Sequence, residues 1–154
     1  KILQVVGVQI TGNSTYNGTS YDNISGYSAA ITPSSTNSKV LVIFNINAGS
    51  NNNGNRILFR ISRTGDDNEF VGNASSNRTR ATASMAVSSP SDGRAVHITY
   101  ISNPSSTSQI TYQLQAKLQV GGSSFIHFGS DGSDSNNAIT GRTAQQIILM
   151  EIGS

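Results

Sequence analysis

The sequence predicts an all-β fold: an antiparallel β-sandwich of about eight to ten strands with no significant helix. Three observations carry this expectation. Apolar residues recur at every second position over much of the chain, the period of a strand with one buried face. Clusters of Gly, Pro, Asn, Asp and Ser interrupt the alternation at short intervals, as in many-stranded folds. Charged residues make up only 12% of the 154 residues, about half the usual share. Ser, Thr, Asn and Gly take their place. These favour turns or strands, and none is a good helix former.

Taken in order, residues 2–10 open the chain as a strand, and residues 27–32 form another before the turn at Pro33. Residues 39–48 begin with an unbroken apolar run, "VLVIF", which predicts a central strand covered on both faces. Residues 56–63 place Ile57, Phe59 and Ile61 opposite Leu58 and Arg60. Residues 64–93 have the weakest pattern and are expected to hold two short strands or one long loop. Residues 94–102 alternate Val96, Ile98 and Tyr100 against His97 and Thr99. Alternation is cleanest in residues 109–120. Ile110, Tyr112, Leu114, Ala116, Leu118 and Val120 share one face, and Thr111, Gln113, Gln115, Lys117 and Gln119 share the other. That polar face is expected either in solvent or hydrogen-bonded to a neighbouring subunit. Residues 124–128 and 145–152 complete the set. No linker divides the chain and no repeat period recurs, so residues 1–154 are expected to form one domain.

Composition narrows the chemistry. A formal charge of +2 with scattered Lys and Arg lacks the dense basic footprint of a nucleic-acid binder. The absence of cysteine excludes disulfides, Cys-based zinc sites and thiol nucleophiles. No apolar stretch approaches the ~20 residues of a membrane-spanning helix, so membrane insertion is not expected. The opening "KILQVVGVQITG" reads as a strand rather than a signal peptide. Because that pattern is already under way at Lys1, the chain is expected to be part of a longer polypeptide, as its C-terminal piece.

His97 and His127 have no Cys, Glu or second His at ligand spacing, so each is expected on a strand face or at an interface. Asp131, Asp134 and Asn136 offer hard oxygens in one loop. They lack the alternating acidic ligands and closing Glu of an EF-hand, so calcium is a minor expectation. No GxSxG motif occurs, and the eight acidic residues fall mostly in predicted turns rather than as a converging pair. An enzyme is not expected, nor is a cofactor. The five Asn-x-Ser/Thr sequons, at Asn13, Asn17, Asn23, Asn73 and Asn77, read as surface loops. For a glycan site, Tyr16 and Tyr21 are the candidates: two aromatic rings in an Asn/Thr/Ser-rich stretch, where a sugar ring would stack among hydrogen-bonding side chains. The alternative is that both rings anchor their loop on the sandwich.

Several motifs in combination resemble a family of small β-domains in the virion proteins of tailed bacteriophages, particularly those of aquatic and cyanobacterial phages. They are "KILQVVGVQ" at the start, the Thr/Ser/Tyr-rich segment up to "ITPSS", "NSKVLVIFNINAG", the arginine-bearing "NRILFRISRTG", "NPSSTSQITYQLQAK" and the closing "IILMEIGS". The resemblance is weakest over residues 64–93. It implies a jelly-roll similar to the C1q and tumour-necrosis-factor type, assembled as a homotrimer. It also implies a place on a tail fibre, a head fibre or the capsid surface, alongside other virion proteins. Such a protein would be made in the host cytoplasm, released by lysis, and would attach to a host-surface receptor or glycan. Two further readings are a decoration protein that only stabilises the particle and a bacterial extracellular carbohydrate-binding module.

Overall fold

A computed structural model describes residues 1–153. It contains ten strands: β1 (Ile2–Ile10), β2 (Ser14–Tyr16), β3 (Asp22–Ile31), β4 (Lys39–Ser50), β5 (Arg56–Arg63), β6 (Ala83–Ala86), β7 (Gly93–Ser102), β8 (Ile110–Leu118), β9 (Ile126–Phe128) and β10 (Gln145–Ile152). No helix occurs among the described residues. All strand pairs are antiparallel.

The strands form a six-stranded and a four-stranded sheet. In the larger sheet, β4 pairs with β7 along one edge; its other edge meets β10 over residues 39–45 and β9 over residues 48–50. β1 lies beyond β10, and the short β2 lies beyond β9. The smaller sheet runs β3-β8-β5-β6. Setting aside the two three-residue strands, β2 and β9, the larger sheet holds the first, eighth, third and sixth strands of the chain. The smaller holds the second, seventh, fourth and fifth. This interleaving is the double Greek key of a jelly-roll sandwich.

Alternation places one face of each sheet inside. Val40, Val42, Phe44 and Ile46 of β4 meet Ile57, Phe59 and Ile61 of β5 and Tyr112, Leu114 and Leu118 of β8, all essentially without solvent exposure. Tyr27 tilts against Phe128 with ring centroids 5.2 Å apart, and Phe59 meets the same ring edge-on at 6.4 Å. Full burial of each such side chain stabilises the fold by roughly 1.5–3 kcal/mol.

Two elements differ from the sequence expectation. β3 begins five residues earlier than the predicted 27–32, because its pairing with β8 shifts between Asn23 and Ser28, around Gly26 at φ 82°. That bulge buries both Ile24 and Tyr27, a spacing that masks the period of two. Residues 64–93 yield one four-residue strand, β6, preceded by a long strap over residues 64–82. The strap is pinned by Glu69. Its carboxylate accepts hydrogen bonds from Arg63 Nε at 2.7 Å, from the Ser102 hydroxyl at 2.8 and 2.9 Å, and from the Asn103 amide at 3.0 Å. Phe70 of the strap stacks on Tyr100, and Thr82 Oγ1 donates to the Phe70 carbonyl at 2.6 Å.

Candidate functional site

β4 is central, as expected, but only one of its faces is covered. The partners of its outward residues show why this matters. Val5, Met150, Leu41 and Ile101 lie side by side across β1, β10, β4 and β7. The next outward row is Gly7, Ile148, Ile43 and Thr99. A third row turns polar: Gln9, Gln146, Asn45 and His97. One half of the outer face of the larger sheet is therefore apolar and the other half amide-rich. At the apolar end, Val5 is 57% exposed, Ile101 48% and Leu3 45%. These are large side chains to leave in water, and contiguous apolar surface of this kind marks an interaction site. The signal in sequence was the unbroken apolar run "VLVIF", which sequence alone reads as burial on both sides; "IILM" of β10 carries a similar run.

Tyr16 and Tyr21 are not brought together. Tyr16 sits on β2 at the end of the larger sheet, half-buried against the core, with its hydroxyl donating to the Ser20 carbonyl at 2.7 Å. Burial, assisted by Asp22, raises its hydroxyl pKa. Tyr21 lies over the outer face of the smaller sheet. Its hydroxyl donates to the Arg80 carbonyl at 2.9 Å, and the Arg60 guanidinium stands 4.4 Å from the ring centroid. Lys117 Nζ is 5.9 Å from the same ring. Burial raises the Tyr21 pKa, with Arg60 acting in the opposite direction. Arg60 Nε in turn donates to Gln115 Oε1 at 2.7 Å, and Gln115 Nε2 donates to Asn23 Oδ1 at 2.9 Å. The polar face of β8 is thus largely covered by its own chain: Gln115 is buried beneath Tyr21, Asn23 and Arg60.

The histidines stay apart. His97 is exposed on the outer face of β7, with Nδ1 2.9 Å from Asn45 Oδ1. His127 lies on β9, where burial lowers its pKa, Asp134 and Asp131 oppose that shift, and Arg142 adds to it. No group of three or more acidic, His or Cys side chains converges among the described residues. In the 131–136 loop, Asp131 Oδ1 accepts from the Ser133 amide and hydroxyl and from the Asp134 amide at 2.9–3.1 Å. Asp134 faces Arg142 at 3.0 Å and accepts from Asn13 Nδ2 at 3.1 Å. The Asp131 oxygen thus holds the loop's own donors, and the Asp134 oxygens are taken up by Arg142 and Asn13 from outside it, rather than forming an open cage for a hard cation.

No family model matches the sequence, and neither does any curated protein. Solved structures do match. The infectious bursal disease virus Gx strain structure superposes with a TM-score of 0.51 at 12% identity, covering 96% of this chain and 40% of that one. A VP2 subviral particle of the same virus gives 0.44 at 12% identity, with 98% and 37% covered. A mutant VP2 protein in derived T=1 particles gives 0.45 at 11% identity, with 96% and 36% covered. The chain spans about two fifths of the length of the first of these. At such identities the likeness concerns the fold, and it bears out the predicted sandwich: the chain has a jelly-roll fold like that of a domain in a virus-particle protein.

Proposed function

We propose that this chain is a non-catalytic structural module of a virus particle, of the tailed-phage appendage type. In this reading it associates as a trimer and attaches the particle to a glycan or receptor on the host surface. The observation that carries the reading is the apolar row Val5–Met150–Leu41–Ile101 on the outer face of a jelly-roll sheet. Packing that row around a three-fold axis, where its two ends meet different ends of the same row on neighbouring copies, removes several large apolar side chains from water, and a head-to-tail contact of this kind closes as a ring. The fold likeness to an infectious bursal disease virus structure supports the virion setting, as do the phage-type motifs at both ends of the sequence. Attachment then draws on avidity: three weak sites on one rigid body gain from effective concentration without a strong single contact.

Light scattering after size exclusion tests the assembly. The expected result is a mass three times that of the chain at micromolar concentration. A monomer over the whole accessible concentration range would overturn the trimer. Binding to particles but never to host cells would instead assign the module to particle stabilisation.

A further inference from the structure

We infer that the outer face of the smaller sheet carries a binding groove for an acidic saccharide, one bearing carboxylate or sulfate groups. This inference specifies the ligand of the attachment reading above and rests on it for its biological setting. The groove is a cavity of about 480 Å³ lined by Arg56 and Leu58 of β5, Asn77 and Thr79 of the strap, Lys117 of β8 and the following Gln119. A second hollow of about 290 Å³ continues past Arg56 and Leu58 to Ser84, Met85 and Ala86. No acidic residue lines either one.

The charge distribution singles out this face. Of the ten Lys and Arg residues, Arg60, Arg63, Arg94 and Arg142 have a carboxylate within 4 Å. Among the described residues the other six have none. Two of these, Arg56 and Lys117, line the groove, and Arg78 and Arg80 belong to the strap segment that borders it. Arg80 Nε donates to the Gly72 carbonyl at 2.7 Å, so Arg56 and Lys117 are the two uncompensated cations that line the concave surface, where low-dielectric walls strengthen their field.

Register sets the geometry. Leu58 lies opposite Lys117, and the Gln119 amide donates to the Arg56 carbonyl, so Arg56 and Lys117 are diagonal neighbours on one face. Diagonal positions of this kind stand ~7–8 Å apart, and both long side chains can reach one anionic group. Leu58 offers an apolar floor for the C–H face of a sugar ring. Asn77, Thr79 and Gln119 supply amide and hydroxyl partners for its hydroxyls. Tyr21 forms the margin: its ring sits beside Lys117 and beneath Arg60, which holds the cationic side chains over the sheet. Nucleic acid fits less well. The lining contains no aromatic ring to stack a base, and the neighbouring Tyr21 ring already carries Arg60.

The test is titration of the whole chain with three short oligosaccharides of equal length: an oligouronate, a sulfated oligosaccharide and a neutral glucan, followed by calorimetry and by amide chemical-shift changes. Binding of at least one acidic oligomer is expected, with shifts centred on residues 56–58, 77–79 and 117–119 and none of comparable size for the glucan. Arg56→Gln and Lys117→Gln should each weaken binding about fivefold or more, while Arg142→Gln, outside the groove, should leave it unchanged. Unaltered melting temperatures would show that the variants still fold. Failure of both acidic oligomers to bind would overturn the proposal. So would equal binding of the neutral glucan, or indifference to both groove substitutions. Equal affinity for a single-stranded oligonucleotide of matching charge would also overturn it. Mass measured on the same samples keeps the two readings separate, since a monomer that binds through the groove refutes the trimer alone.

Discussion

Gln4 Nε2 donates to Glu151 Oε2 at 2.6 Å and to the Thr32 carbonyl at 2.7 Å. One side chain on β1 thereby ties β10 to the end of β3. The other Glu151 oxygen accepts from both the amide and the hydroxyl of Ser34 at 2.7 Å. Glu151 is only 1% exposed, yet no Lys or Arg neutralises it, and it lies under a thin cover of Gln4 and Ser34 rather than deep in the sandwich. Burial pushes its pKa up. The hydrogen bonds from Gln4 and Ser34, with the Ser38 hydroxyl nearby, outweigh that and hold it at about 2 against an ordinary 4.5.

A pH dependence follows. The folded-state pKa lies below the unfolded one, so the stability this carboxylate contributes is present above about 4.5 and is lost as pH falls toward about 2. Glu151→Gln, which cannot accept on both oxygens, should cost about 1–3 kcal/mol at neutral pH. It should also flatten the decline in stability between those two pH values. Urea midpoints of both proteins at neutral and acidic pH check this, and parallel curves would refute the role given to Glu151.

A second polar link crosses the core. Gln145 Nε2 donates to the Tyr27 hydroxyl at 2.7 Å, and Gln145 Oε1 accepts from the Asn47 amide at 2.9 Å, joining the two sheets through one buried amide. Tyr27→Phe keeps the contact with Phe128 but leaves the Gln145 amide without its acceptor. The expected loss is about 1–3 kcal/mol, read from a denaturation midpoint that shifts without a change in slope.

Much of this architecture was legible in the sequence. The bounds of β1, β5 and β10 agree with the alternating stretches, and β8 falls within residues 109–120, because each is a plain strand whose core-facing residues alternate with residues on the other face. β3 was truncated in the reading because the Gly26 bulge breaks its period. β2 was missed because a three-residue strand paired only to β9 carries no pattern of its own. The candidate surfaces were harder to see. Arg56 and Lys117 become neighbours only through the β5–β8 register, and the outer apolar rows were masked because "VLVIF" of β4 reads in sequence as a doubly buried strand. Tyr21 was visible as an aromatic ring in a polar stretch, but its pairing with Arg60 depends on the strap and sheet together.

Glycines give a steric prediction. Gly132 runs so close to the end of β4 that a Cβ there would collide with the Ser50 carbonyl and stand 2.7 Å from the Pro90 carbonyl oxygen. Backbone on every side leaves nothing flexible to yield. Gly132→Ala should therefore destabilise the fold by about 1–3 kcal/mol. Gly54 is the contrast: its added Cβ would meet nothing within 4 Å, but its φ of 78° is unfavourable for an L side chain. Gly54→Ala should cost about 1 kcal/mol from conformation alone. Thermal midpoints that rank the two in the opposite order would refute the close approach at Gly132.

The outer apolar row gives the most direct check on assembly. Val5 and Ile101 occupy its two ends, on β1 and β7, and each is about half exposed, so a charge at either position does not enter the core. Val5→Asp and Ile101→Asp should leave the melting temperature of dilute protein nearly unchanged, as exposed substitutions usually do within about 0.5 kcal/mol. Both should shift the light-scattering mass toward the monomer, since each would bury an unpaired carboxylate at the contact. Gln9→Asp, on the same face but in the polar row opposite Gln146, should keep the parent mass if the contact is confined to the apolar half. Should all three variants retain the parent mass, association must use another surface, with the edge of β7 that pairs with no strand the next to test. Should all three become monomeric, the contact extends over the whole sheet face, and the amide row takes part in it.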